Sequence, residues 1–382
     1  MSIQRVLFKS IIESIDFIQV TAIIGARQVG KTTLAKQITK QFDNMIYLDL
    51  EKTSDLNKLE DAETYLNLNK NINLFCIDEI QLKPNLFTTL RSFVDENKDI
   101  RFLILGSATP ELLRQSSQTL AGRIFYHTLS PFQFLELINR ETLNNYHLKG
   151  GFPKSILTKN DKNSFLWREN FITTFLEKDL QTFGIFIASK NIHRLWKMLA
   201  HLNSTLLNYN ALSKSMGVDT KTVKKYIDIL NHTFMIRILE PYYVNIKKRI
   251  IKSPKIYFKD TGVLHTLLHI KTYDELYNNP YFGASWESLI IENIINKFND
   301  FESYFYRTVD GAELDLILVK GIKIIAIEIK SSLSPKLSRG FWTAIKDIKA
   351  TKSYIIAPVK EIYPYKNDVM VYPLEEFLKL DL

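Results

Sequence analysis

Gly25-Ala26-Arg27-Gln28-Val29-Gly30-Lys31-Thr32-Thr33 matches the pattern G-x-x-x-x-G-K-[ST] at every fixed position. Ile18 to Ile24, just before it, is apolar and β-branched, the composition of a buried strand. Lys31 to Lys40, just after it, spaces Leu34, Ala35 and Ile38 along one side of a helix. A strand, a glycine loop and a helix N-terminus gather backbone N–H groups and the positive end of a helix dipole at one point, which suits a polyphosphate. The motif puts Lys31 on the β- and γ-phosphates and the Thr32 hydroxyl on Mg²⁺. Residues Gly25 to Thr33 are therefore the expected nucleotide contacts, with ATP and Mg²⁺ as cofactors.

The rest of the chain has room for more than this. At 382 residues it can hold two or three domains, each with its own core. No apolar run is long enough for a membrane helix, and no signal peptide follows Met1-Ser2-Ile3-Gln4-Arg5. Cys76, the single cysteine, has no internal partner and sits in an apolar run, so it reads as a buried small hydrophobe in a reducing, cytoplasmic setting. The net charge of +9 is unevenly spread. Residues 137–275 carry 22 Lys and Arg against 11 Asp and Glu, whereas the segments on either side are each one charge short of neutral. A basic middle is the footprint of a nucleic-acid contact, and also of an ordinary solvated surface.

Met45 to Leu50 reads as a second strand, and Leu74-Phe75-Cys76-Ile77-Asp78-Glu79-Ile80 as a third that ends in two acids. This is the Walker B pattern, in which Asp78 holds Mg²⁺ through water and Glu79 polarises the attacking water. Two acids at the end of a buried strand are costly without a metal or hydrogen-bond partner. A fourth strand, Phe102 to Leu105, leads to Ser107. Strands alternating with helices imply a parallel sheet with its ligand at the strand C-termini.

Together the glycine loop, Asp78-Glu79 and Ser107 resemble an AAA+ ATPase core. The resemblance implies that Ser107 senses the γ-phosphate. Leu120-Ala121-Gly122-Arg123, the strand-like run Ile124 to Leu129, and Ser130-Pro131-Phe132-Gln133-Phe134 are similar to a prokaryotic AAA+ family with a C-terminal domain of unknown function. Arg123 is the candidate γ-phosphate or finger arginine, acting on the nucleotide of its own chain or, in a homo-oligomer, on a neighbour's.

Past the turn Gly150-Gly151-Phe152-Pro153, the spacing of Leu166, Phe171, Phe175, Leu176, Leu195, Leu199 and Leu202 reads as helices, with Trp167, Phe183 and Trp196 as core. Asn210 to Ile227 reads as a helix-turn-helix: a short helix, a turn at Gly217, then a helix capped by Asp219 or Thr220. Val223, Ile227 and Leu230 would face inward, leaving Lys221, Thr222, Lys224 and Lys225 outside on the half of the helix that meets DNA in such motifs. Phe234 to Val244 and Lys255 to Lys259 could pair as a wing with Lys247, Lys248, Arg249 and Lys252 near its tip. Those residues are the candidate DNA contacts, and a winged helix used only for protein contact is the other reading. His265 and His269 are four apart, a zinc-compatible spacing, but Leu264, Leu267 and Leu268 around them point to packing.

Trp286 to Phe298 reads as an amphipathic helix bearing Glu287 and Glu292, followed by strands at Tyr304–Val309, Ala312–Val319 and Ile322–Lys330. Strand alternation puts Glu313 and Asp315 on one face, and Glu328 and Lys330 on one face of the next strand. Asp315 followed across a hairpin by Glu328-Ile329-Lys330 resembles the PD-(D/E)XK nuclease fold, and Gly283-Ala284-Ser285-Trp286-Glu287 is similar to the preceding helix of archaeal Holliday-junction resolvases. The resemblance implies Mg²⁺ on Asp315, Glu328 and Glu287 (or Glu292), and Lys330 beside the water. Leu314 stands where that superfamily has a leading proline.

The expected architecture is α/β: an AAA+ P-loop parallel sheet at 1–138, a helical and winged-helix segment at 139–275, and an α+β nuclease-like domain at 276–382. The expected function is a Mg²⁺-dependent ATPase that engages DNA. The alternative is a nucleotide-dependent switch whose C-terminal half only docks partners.

Overall fold

The computed structural model describes residues 3–107, 119–182, 189–243 and 250–382. Lys247, Lys248, Arg249, Phe183 and the side chain of Ser107 lie outside the described residues. The chain forms two compact units, Met1–Phe132 with His232–Phe234, and Gln133–Asn231 with Met235–Leu382.

The first unit is built on five parallel strands: β1 (Val20–Gly25), β2 (Met45–Asp49), β3 (Leu74–Asp78), β4 (Arg101–Ser107) and β5 (Ile124–Thr128), in the order β2-β3-β4-β1-β5. Every residue of β1 and β3 is buried, as a parallel sheet covered on both faces requires. Cys76 is buried inside β3. The core joins Val20, Ala22, Leu48, Phe75, Ile77, Phe102 and Ile104 of the sheet to Phe87, Leu90 and Val94 of helix Leu86–Glu96. Because β4 lies between β1 and β3, the strand before the glycine loop and the strand bearing the acids end side by side, one strand apart. This is the parallel P-loop AAA core expected from the sequence.

The second unit begins with helices and ends in a mixed sheet. Trp196 is fully buried and the Trp167 indole half-buried, while Leu166 is exposed rather than packed. Helix Tyr209–Met216 ends at Gly217, whose φ of 70° is left-handed, and helix Thr220–His232 follows. Val223, Ile227 and Leu230 are buried. β6 (Ile236–Leu239) and β7 (Lys255–Phe258) pair antiparallel. Their flanks do not stand free: the backbone of Glu240 and Tyr242 bonds to Phe305, and the N–H of Ile251 donates to the Arg307 carbonyl.

Six strands complete the unit: β8 (Glu302–Arg307), β9 (Glu313–Lys320), β10 (Lys323–Ile329), β11 (Lys352–Ile356), β12 (Tyr363–Lys366) and β13 (Val369–Tyr372), in the order β12-β13-β11-β10-β9-β8. Pairing is antiparallel from β8 to β10 and parallel from β10 to β13. Helix Phe282–Lys297 is not amphipathic. Ten of its residues are buried, including Ser285, Ser288, Glu292 and Asn293, because hydrogen bonds to His147 and His265, Asn203, Arg237 and the Phe134 backbone satisfy their polar atoms. His265 is buried in this network: its Nδ1 donates to the Leu148 carbonyl, and its Nε2 is hydrogen-bonded to the Ser285 hydroxyl. No helix among the described residues is long and apolar enough to cross a membrane.

Candidate functional site

The glycine loop leaves β1 at Gly25, where any Cβ would meet the Leu129 carbonyl oxygen at 2.3 Å. Only glycine lets the loop pass this close to the neighbouring chain. Gln28 and Gly30 then take left-handed φ angles of 64° and 97°, curling the backbone so that the helix starts at Lys31. The Lys31 ammonium is folded onto the loop, 3.1 Å from the Gly25 carbonyl and 2.9 Å from that of Ala26. Arg27 extends to Glu51 at 3.6 Å. Behind the loop, the buried guanidinium of Arg5 donates to the carbonyls of Val29 (2.9 Å) and Ser130 (2.6 Å) and stacks on the Phe132 ring.

The acids arrive from β3. The Thr32 hydroxyl donates to Asp78 Oδ2 at 2.7 Å, and the Tyr47 hydroxyl of β2 donates to the same oxygen at 2.7 Å. Burial, then the Asp78 charge, push the Tyr47 phenol far up, so it stays a donor. Glu79 is held at a left-handed φ of 55° just past the strand, its carboxylate hydrogen-bonded by Gln81. Burial raises the Glu79 pKa, and the Lys31 charge offsets part of that rise. A hydroxyl and a carboxylate in contact at the end of a phosphate loop are hard oxygen donors that fit Mg²⁺. Ser107 is paired in register with Gly25, so its backbone lies at the loop's entrance.

Arg123 is the exception. Its carbonyl accepts from Val20 N–H at the start of β1, the opposite end of the strand from the loop, roughly 17 Å away on strand geometry. Its guanidinium is bidentate on Asp95, with the second contact at 2.9 Å. Contact with the nucleotide of its own chain is thereby excluded.

On helix Thr220–His232, Lys221, Lys224 and Lys225 are exposed, and Lys224 lies over the Tyr209 ring. Thr222 is committed elsewhere: its N–H and hydroxyl both bond to the Asp219 side chain, which caps the helix.

Asp315 on β9, Glu328 on β10 and Glu287 on helix Phe282–Lys297 are brought together. Burial first, then Glu328 and Glu287, hold the Asp315 carboxyl well above its ordinary range, and burial likewise raises Glu328. Asp315 accepts from the Ile329 N–H at 2.8 Å, and Lys330 pairs with Glu328 at 2.6 Å. Glu292 belongs to a different contact, with Arg237. Two of the expected Mg²⁺ ligands, Glu287 and Asp315, however, face a lysine. Lys255 of β7 places its ammonium 3.1 Å from Glu313, 3.4 Å from Glu287 and 3.8 Å from Asp315. Among the described residues no group of three or more His, Cys, Asp and Glu is arranged to hold a metal.

Sequence reasoning missed Arg5, Tyr47, Gln81 and Lys255. Gln81 was within local reach, two residues past the acid pair; the others act on residues distant in sequence.

Three family models match the chain in succession: an AAA domain at residues 18–138, a domain of unknown function (DUF8612) at 140–274, and another (DUF4143) at 282–377. The chain is 36% identical over 360 residues to the uncharacterized protein Rv2008c of Mycobacterium tuberculosis (strain H37Rv), covering 94% of this chain and 81% of that one. It is 22% identical over 352 residues to an uncharacterized protein of Haemophilus influenzae, covering 82% of each. Among solved structures it is similar to the Walker-type ATPase PABY2304 of Pyrococcus abyssi, with a TM-score of 0.49 and 14% identity over 70% of this chain and 96% of that one. With an AAA domain carrying a complete glycine loop and acid pair, and with that identity over nearly its whole length, the chain belongs to the same family as mycobacterial Rv2008c.

Proposed function

We propose that the chain is a Mg²⁺-dependent ATP hydrolase that engages nucleic acid through its basic middle segment. The observation that carries the ATPase reading is the convergence of Lys31, Thr32 and Asp78 at one end of the parallel sheet. When bound, Mg²⁺·ATP supplies the phosphoanhydride to be broken and the cation that offsets its charge. Thr32 and Asp78 are the residues that would hold the metal. Lys31, released from the Gly25 and Ala26 carbonyls, neutralises the β- and γ-phosphates. Glu79 orients and deprotonates the attacking water, and burial, by raising its pKa, makes it the stronger base. In a homo-oligomer Arg123 would have to leave Asp95 to serve a neighbour's nucleotide.

For nucleic acid, support comes from the helix pair with Lys221, Lys224 and Lys225 exposed on the second helix, read as a winged helix with β6 and β7. The last sheet carries the nuclease-like residues, and we read it as a docking element rather than a cutting one, since the Lys255 ammonium lies beside Glu287 and Asp315. Steady-state ATP turnover by the intact chain, with and without DNA, tests the proposal. Expected are Mg²⁺-dependent turnover that changes with DNA and is lost in Lys31→Ala. Normal binding and turnover by Lys31→Ala would refute it, and slow turnover indifferent to DNA would favour the switch.

A further inference from the structure

We propose that Lys255 is the resident cation of the carboxylate cluster on the six-stranded sheet, closing it to divalent metals. Lys255 and Tyr257 are two residues apart on β7 and so share a face. Both converge on Glu287: the Tyr257 hydroxyl donates to Glu287 Oε1 at 2.6 Å, and the Lys255 ammonium lies 3.4 Å from the same oxygen. The ammonium also lies 3.1 Å from Glu313 and 3.8 Å from Asp315, and 5.6 Å from the centre of the Phe305 ring.

The Lys255 side chain is only 3% exposed. A buried ammonium is costly unless paired. Burial alone would push its pKa down, but Glu287, Asp315 and Glu313 outweigh that and hold it above the ordinary lysine value, so it stays charged. Lys255 is thus built into the cluster.

Charge accounting leads to the same place. Glu287, Glu313, Asp315 and Glu328 face Lys255, Lys330 and Arg307, the last 3.6 Å from Glu313. Four acids against three bases leave one negative charge. A divalent ion needs about six oxygens at roughly 2.1 Å. Here three of the available carboxylates already turn toward an ammonium, which would repel a second cation. The Mg²⁺ set implied by the nuclease resemblance is present in composition but does not fit the metal in this arrangement. This inference is independent of nucleotide turnover, and its failure would leave the ATPase proposal standing.

The test is Mn²⁺ binding to the nucleotide-free intact chain, read from the free-ion EPR signal. Wild type, Asp315→Asn, Lys255→Met and the Lys255→Met/Asp315→Asn pair are compared. Asp315→Asn subtracts any ion held elsewhere, including near Asp78. Expected is equal Mn²⁺ binding by wild type and Asp315→Asn. Lys255→Met should gain one ion per chain at roughly tenfold or greater affinity, from loss of one nearby positive charge, and the pair should lose that ion. The proposal is overturned if wild type holds an ion that Asp315→Asn loses, or if folded Lys255→Met gains none. Should Lys255→Met fail to fold, wild type against Asp315→Asn still decides. Lys255→Arg, which keeps the charge, provides a second arm: it is expected to hold no Asp315-dependent ion, and holding one would equally overturn the proposal.

Discussion

Thr32 Oγ1 and Asp78 Oδ2 are 2.7 Å apart although 46 residues separate them. Thr32 is on the helix after β1, Asp78 at the end of β3, and only β4 lies between those strands. The sheet order therefore turns two distant local motifs into one oxygen pair. Tyr47, on the far side of β3, completes the arrangement by donating to the same carboxylate oxygen.

That shared oxygen gives the first prediction. Tyr47→Phe removes a hydrogen bond to a charged carboxylate, worth about 1.5–3 kcal/mol when made, without changing the ring that packs. Asp78 Oδ2 then loses one of its two donors, while Oδ1 keeps the Glu79 N–H. The expected result is a roughly tenfold rise in the Mg²⁺ concentration needed for half-maximal ATP turnover, with the melting temperature lowered by roughly 5–10 °C. Mg²⁺ titration at fixed ATP measures it. An unchanged Mg²⁺ requirement would remove Tyr47 from the site.

Arg5 supports the second. Its guanidinium joins Val29 in the glycine loop to Ser130 and Pro131 after β5, all within the first unit. Arg5→Ala leaves buried carbonyls without these donors and should destabilise the unit by about 3 kcal/mol. Arg5→Lys should recover only part of that, since a point charge cannot fork between separate carbonyls. Thermal unfolding gives the stability, and the ATP KM should rise as the loop loosens. If Arg5→Ala unfolds like wild type, the strap has no energetic role.

Much of the first site was legible because its signals are short-range. The glycine loop, the buried strand before it and the acid pair after an apolar run each fit inside ten residues. What sequence could not give depends on chain crossings. Arg5 meets Ser130 across 125 residues, and Lys255 meets Glu287 across 32. Helix Phe282–Lys297 departs from its amphipathic reading for a related reason: Ser285, Ser288, Glu292 and Asn293 are buried, each bonded to a group supplied by another element. Arg123 is singled out by its motif neighbours, and strand register puts it at the Val20 end of β1, away from the glycine loop of its own chain.

The third prediction concerns the basic helix. Lys221, Lys224 and Lys225 are exposed and project from one helix whose N-terminus Asp219 caps. If they lie along a phosphate backbone, neutralising all three as Lys221→Gln, Lys224→Gln and Lys225→Gln should weaken DNA binding. The slope of log K against log salt should fall by roughly 2–3 units for duplex DNA. Salt-dependent fluorescence anisotropy reads both, and ATP turnover without DNA should stay unchanged. An unaltered slope would assign this helix to protein contact.

The last prediction is a pH dependence of folding. Burial pushes His127 down to about 4 and His265 down to about 3, against an ordinary 6.5. Both are therefore neutral in the folded chain where the unfolded chain would begin to charge them. A lowered folded pKa means the unfolded state binds more protons between the two values, so stability falls as pH drops. The contribution is complete above about pH 6.5 and is lost progressively below it, by up to about 1.4 kcal/mol per pH unit for each histidine. The buried Asp315 and Glu328 carboxyls, shifted upward, work in the opposite sense, so the total slope is a difference. Replacing one histidine separates the contributions. His265→Asn should cost stability at neutral pH through its lost Ser285 and Leu148 contacts, while its stability declines less steeply than wild type between pH 6.5 and 4. Urea unfolding at a series of pH values measures the two slopes, and parallel curves would show that His265 accepts a proton without leaving its buried site.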